Sequence, residues 1–175
     1  MTGKEFLKKI ANGKDDLLQS FIDILSIRKI KFCIIGGLAV NAYAEPVVSL
    51  DLDVVIVSEK LDSLLPVLKK KYKIESFPNS INLFSKKSDL RIQIQIDHRY
   101  QDFLSRARKR DVLGYKITVA AVEDVLQGKI WAATDETRRP SKRQKDLADI
   151  LRLIEANSAL ANRLPAALKT QLKFS

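Results

Sequence analysis

GGLAVNAYAEPVVSLDLDVVIV, from Gly36 to Val57, is the segment on which the reading of the fold turns. Lys31 to Ile35 before it is a short apolar strand that ends at the glycine pair. Leu38 to Ala44 predicts a brief helix, stopped by Pro46, and Asp51 to Val57 a strongly β-branched strand. A glycine pair between a strand and a helix lets a phosphate come close to the backbone, next to unpaired N–H groups. Asp51 and Asp53 are two apart on the strand, so both side chains point to one face. Carboxylates held that close repel by roughly 1–4 kcal/mol, which a divalent cation relieves. Mg²⁺ favours one or two carboxylates together with phosphate oxygens. Such a site suits phosphoryl or nucleotidyl transfer, with one or two metals polarising the phosphate and activating a hydroxyl. Either feature alone is common. Their combination across the thirteen residues between Gly37 and Asp51 is what carries the reading.

Working outward, Asp15 to about Arg28 predicts an amphipathic helix with Leu18, Phe21, Ile22 and Leu25 on one stripe, and Leu61 to Lys71 a second. Lys73 to Phe77 and Ile81 to Phe84 flank the turn-like Pro78-Asn79-Ser80 and predict a hairpin. In Leu90 to Asp97, Leu90, Ile92, Ile94 and Ile96 alternate with Arg91, Gln93, Gln95 and Asp97, the pattern of a strand with one buried face. Tyr115 to Val119 predicts a further strand. Helices follow over Val122 to Ala133, Ser141 to Glu155 and a short terminal segment. The expected class is therefore α+β: a mixed sheet flanked by helices with a helical C-terminal part. One domain over 1–175 is expected, with its core at about 15–120 and the helical part at about 121–175.

The 175 residues are 46% hydrophobic and 30% charged, ordinary for a globular chain with a real core. No apolar run reaches the ~18 residues of a membrane span. Lys8 and Lys9 interrupt any leader-like stretch, and the single cysteine, Cys33, excludes an internal disulfide, so a reducing cytoplasm is expected. The net charge is +10, with clusters at Lys69–Lys73, Arg106–Arg110 and Arg138–Lys145. Such an excess attracts polyanions, RNA included, although a basic surface also serves solubility alone.

The Gly36–Val57 stretch resembles the polymerase-β-like nucleotidyltransferase superfamily, whose motif is an apolar residue, Gly-Gly or Gly-Ser, then Asp-x-Asp after about nine to thirteen residues. GKIWA around Lys129 and KRQKDLADI around Lys145, Asp146 and Asp149 are similar to later motifs of its AbiEii-type branch of toxin nucleotidyltransferases. The resemblance spans about Phe32 to Leu153. It implies Gly36 and Gly37 on a triphosphate and Asp51 and Asp53 on Mg²⁺ or Mn²⁺. It also implies a nucleoside triphosphate donor, in some members a tRNA acceptor, and an antitoxin-like partner protein. Lys129, Lys145, Asp146 and Asp149 would wall the nucleotide site.

The chain departs from this family in two places. The superfamily adds a third carboxylate from a neighbouring strand. Asp97 is the candidate, as metal ligand or base, but Gln93 and Gln95 share its face and either could hold that position instead. A glutamine ligates metal poorly and cannot act as a base. Secondly, the branch carries an arginine shortly before the aspartates, where this chain has Val47 and Val48. Lys129, beside the helix face of Val122, Leu126, Ile130 and Ala133, is the expected substitute cation. A catalytically degenerate protein that binds nucleotide or a partner is the rival reading, and an RNA-binding module a third. His98, Cys33 and Trp131 are read as a strand-end residue, inert packing and helix packing.

Overall fold

Leu90, Ile92 and Ile94 are buried while Arg91, Gln93 and Gln95 stay partly exposed, and that alternation sets an interior strand of the computed structural model, which describes residues 1–13 and 15–174. Seven strands, β1 (Phe32–Ile35), β2 (Asp51–Ile56), β3 (Lys73–Phe77), β4 (Ser80–Ser85), β5 (Ser88–Gln95), β6 (Arg108–Val112) and β7 (Tyr115–Val119), form one mixed sheet. Their order is β3-β4-β5-β2-β1-β7-β6. β2 runs parallel to β5, and β1 parallel to β7; the remaining neighbours are antiparallel. The fold is α+β, with a mixed sheet flanked by helices.

The helices are α1 (Gly3–Ile10), α2 (Leu17–Ile27), α3 (Gly36–Val40), α4 (Leu61–Lys69), α5 (Phe103–Arg106), α6 (Val122–Thr134), α7 (Pro140–Ala156) and α8 (Ala166–Leu172). Asp16 caps α2 by accepting from the Gln19 N–H at 2.9 Å. α3 packs on β1 and β2 and also touches α6 and α7. Polar groups from the C-terminal helices are thereby brought to the face of β2 that carries Asp51 and Asp53. Among the described residues no helix is long and apolar enough to cross a membrane.

Several features differ from expectation, among them the helix after β1, which begins at Gly36 and ends at Val40 instead of running from Leu38 to Ala44. The sequence pattern did not predict α1, a short helix whose start is fixed by reciprocal Thr2–Glu5 capping bonds. Nor did it predict β6: Arg108-Lys109-Arg110-Asp111 is exposed at the sheet edge and has no apolar face to betray a strand. Basic side chains on an edge strand also discourage pairing with a second chain. Lastly, β5 stops at Gln95, and Asp97 caps the 3₁₀ turn His98–Tyr100 instead of continuing the strand.

Candidate active site

β1 delivers the chain to Gly36 with Ile35 paired to Asp53 across the antiparallel β1–β2 ladder. Gly36 has φ +69°, a left-handed conformation that favours glycine, and a Cβ there would run into the Asp53 carboxylate. At Gly37 an added Cβ would meet only ordinary contacts, with Ser49 Oγ at 3.7 Å and Asp149 Oδ2 at 3.8 Å. The glycine turn, Asp53 and Asp149 therefore converge. Asp51 and Asp53 emerge on the same face of β2.

The two aspartates have opposite surroundings. Asp51 Oδ1 accepts from Arg91 Nε at 3.1 Å and Nη2 at 3.0 Å, and its Oδ2 from Lys142 Nζ at 3.1 Å. Burial alone would raise the Asp51 carboxyl, but Lys142 and Arg91 outweigh it and hold it below the usual carboxylate range. Asp53 has no such direct partner among the described residues. Burial pushes its carboxyl upward; the Lys129 charge opposes the rise and the Asp51 charge adds to it. Asp53 lines a cavity of about 80 Å³ with Gly36, Gln93, Tyr100, Lys129 and Arg138. This cavity shares Gln93, Gln95, Tyr100 and Arg138 with a polar cleft of about 210 Å³ that extends to Asn79 and Asp97.

Parallel pairing sets Arg91 beside Asp51 and Gln93 beside Asp53. The strand position nearest Asp53 thus bears an amide. Asp97 lies two residues past the end of β5 and lines the polar cleft but not the cavity at Asp53. Its carboxylate accepts from Arg99 N, Nε and Nη2 at 3.0, 2.9 and 2.7 Å. These bonds hold Asp97 below the usual carboxylate range. The structure does not bring Asp97 to the aspartate pair; it sits at the far end of the cleft, already engaged.

Lys129 faces inward and is buried. Its Nζ lies 2.9 Å from Asp146 Oδ1 and 2.6 Å from Asp149 Oδ2. Burial alone would lower its pKa, but Asp149 and Asp146 keep it above the ordinary lysine value. Arg138 Nε binds Asp146 Oδ2 and Arg152 Nη1 binds Asp149 Oδ1, each at 2.7 Å. Lys129, Asp146 and Asp149 are thus a buried charge network, of which Lys129 and Asp146 wall the cavity, whereas Lys145 is exposed on α7. Gly128 also has a packing reason, since a Cβ there would press on the Tyr100 ring at 3.3 Å.

Sequence reasoning missed Arg91, Lys142, Arg138 and Arg152. Arg91 carried a usable signal, because it shares the polar face of β5 with Gln93. Lys142 meets Asp51 only through the docking of α7, whereas Arg138 and Arg152 pair locally with Asp146 and Asp149. His98 is exposed, and Cys33 is buried, its thiol pushed up to about 12 by desolvation. Trp131 stacks on Phe103 with Arg99 over its ring.

Among the described residues no three acidic, histidine or cysteine side chains group as a metal site. The donors nonetheless fit a divalent ion that arrives with phosphate. Asp53 offers a carboxylate without a direct partner, packed against side-chain-free Gly36, and Asp51 a second on the same face.

A family model described as nucleotidyl transferase AbiEii toxin, type IV TA system, matches residues 21–175. The chain belongs to the AbiEii family. No curated protein matches it. Among solved structures, the AbiEii-family chain is similar to the antibiotic-resistance factor ANT(2'')-Ia at 14% identity, covering 91% of this chain and 96% of that one, with a TM-score of 0.58. The lincosamide antibiotic adenylyltransferase LnuA, lincomycin-bound, matches at 14% identity over 81% and 99% of the two chains, with a TM-score of 0.57. An antigenic nucleotidyltransferase-like protein from Paracoccidioides brasiliensis matches at 18% identity over 97% and 93%, with a TM-score of 0.54. At these identities the likeness shows the fold alone. The family supports nucleotidyl transfer as the general function of this AbiEii-family protein.

Proposed function

We propose that this chain transfers a nucleotidyl group from a nucleoside triphosphate to an acceptor, with Mg²⁺ or Mn²⁺ held by Asp51 and Asp53. The observation that carries this reading is the convergence of Gly36 and Asp53 at one cavity, with Asp51 on the same face of β2. When bound, the ion would neutralise phosphate charge and ease displacement at phosphorus. Gly36 seats the Asp53 carboxylate against the backbone, and Gly37 keeps the turn beside it free of a side chain for the triphosphate. Lys129, buffered by Asp146 and Asp149, contributes a positive field at Asp53, and Lys145 adds charge from the exposed side of α7. Asp97 can act as a base on an acceptor in the cleft only after releasing Arg99.

On this reading residues 1–175 act as one unit, because α6 and α7 wall a site whose aspartates lie on β2. The basic clusters favour RNA or tRNA as acceptor, with protein the other candidate. The family description supports an antitoxin-like partner protein, and a single free cysteine suits the cytoplasm. A second reading, a degenerate nucleotide or partner binder, is favoured by one observation: Gln93, not a carboxylate, stands beside Asp53.

The deciding experiment incubates the protein with each of the four labelled triphosphates, Mg²⁺ or Mn²⁺, and bulk cellular RNA or protein. Label transfer that disappears in the Asp51→Asn, Asp53→Asn double variant establishes the enzyme. Triphosphate binding without transfer establishes the degenerate reading.

A further inference from the structure

We propose that Arg91 and Lys142 guard Asp51 in the free protein and pass to the triphosphate when a metal–nucleotide complex enters. The proposal rests on the metal–nucleotide reading of the site. Asp51 has both oxygens taken by cations from two elements, Arg91 beside it on β5 and Lys142 reaching across from α7. These cations stand where a metal bound to Asp51 would bring its own positive charge.

The three side chains are built to let go. Arg91, Lys142 and Asp51 are 32%, 38% and 25% exposed, and ion pairs of that exposure exchange for water at little cost. Lys129 is the opposite case, 8% exposed and pinned between Asp146 and Asp149. It cannot reach out to a phosphate without giving up ion pairs to two buried carboxylates. The loop before Asp51, where the AbiEii branch carries an arginine, here presents the exposed apolar Val47 and Val48. Cations for the phosphates must therefore come from elsewhere, and Arg91 and Lys142 border the aspartate face directly.

The electrostatics give this arrangement a signature. A divalent ion arriving alone must displace two positive groups and remain beside them. A triphosphate arriving with the ion supplies the negative charge that receives both groups. Removing Arg91 and Lys142 should therefore help the bare ion and hurt the metal–nucleotide complex. Ion pairs that merely tie α7 to the sheet would show no such inversion.

The test is the Arg91→Gln, Lys142→Gln double variant, with single Lys142→Gln as the fallback if the double variant does not fold. Mn²⁺ affinity without nucleotide is read by electron paramagnetic resonance. Affinity for the α,β-methylene analogue of each triphosphate with Mg²⁺ is read by calorimetry. Mn²⁺ affinity should rise about threefold or more. Affinity for the best-bound analogue should fall about tenfold or more, as expected for lost charge-assisted bonds. Lys142→Arg should retain both wild-type affinities. If the two affinities move in the same direction, or neither moves, the guard role is overturned while the metal–nucleotide reading stands. A wild type that binds no analogue overturns that reading and the guard role with it.

Discussion

Gly36 and Asp53 form an interlocked pair: the left-handed backbone at Gly36 aims its missing Cβ straight into the Asp53 carboxylate. Gly36→Ala therefore meets two penalties, a left-handed conformation and an overlap. Together they should cost about 2–4 kcal/mol. Gly37→Ala meets neither and should change stability by less than about 1 kcal/mol. Urea denaturation of the two variants checks the contrast, and equal losses would mean that the turn, not the carboxylate, sets the requirement.

The two aspartates should respond to amidation with opposite signs. Asp53 has a folded pKa raised above the ordinary 3.8, so its contribution is full below pH 3.8 and is lost as pH rises through the raised value. Asp51 has a lowered one, so its contribution is present above pH 3.8 and is lost as pH falls through the lowered value. At pH 7, without metal, Asp53→Asn should raise the melting temperature. Asp51→Asn should lower stability by about 1 kcal/mol through its two part-exposed ion pairs. The Asp53→Asn gain should shrink as pH falls toward 3. Thermal melts across that range read both signs, and Mn²⁺ should reverse the order of the wild type and Asp53→Asn.

Lys129 holds two buried carboxylates, so Lys129→Met should be costly even though Arg138 and Arg152 remain. A loss of about 3 kcal/mol is expected, the low end for an orphaned buried charge. Chemical denaturation measures it. A loss below about 1 kcal/mol would mean that the two arginines satisfy Asp146 and Asp149 unaided.

Gln93→Glu places a third carboxylate beside Asp53. It should raise Mn²⁺ affinity about tenfold and lower metal-free stability through added repulsion. Asp97→Asn should leave Mn²⁺ affinity within about twofold, because Asp97 is bonded to Arg99. A transfer rate cut about a hundredfold by Asp97→Asn, with triphosphate binding intact, would instead show that Asp97 leaves Arg99 to act as base.

The sequence by itself determined what local periodicity encodes. The two-residue repeat of β5 fixed its buried face, and the spacing of Asp51 and Asp53 put both carboxylates on one side of β2. The glycine pair after β1 marked the turn that only a residue without Cβ can make beside Asp53. It missed β6, whose charged edge carries no apolar alternation, and it extended β5 to Asp97 because Ile96 continues the pattern past the end of hydrogen bonding. Tertiary structure alone decided the charge partners. Arg91 and Lys142 lie 40 and 91 residues from Asp51 in sequence, and Lys129 lies 17 and 20 residues from Asp146 and Asp149. Lys129 resembled a free phosphate cation on its helix, yet docking α7 against α6 buried it between two carboxylates. Helical periodicity tells which face a residue occupies; which charge waits on the opposing face depends on how the elements pack.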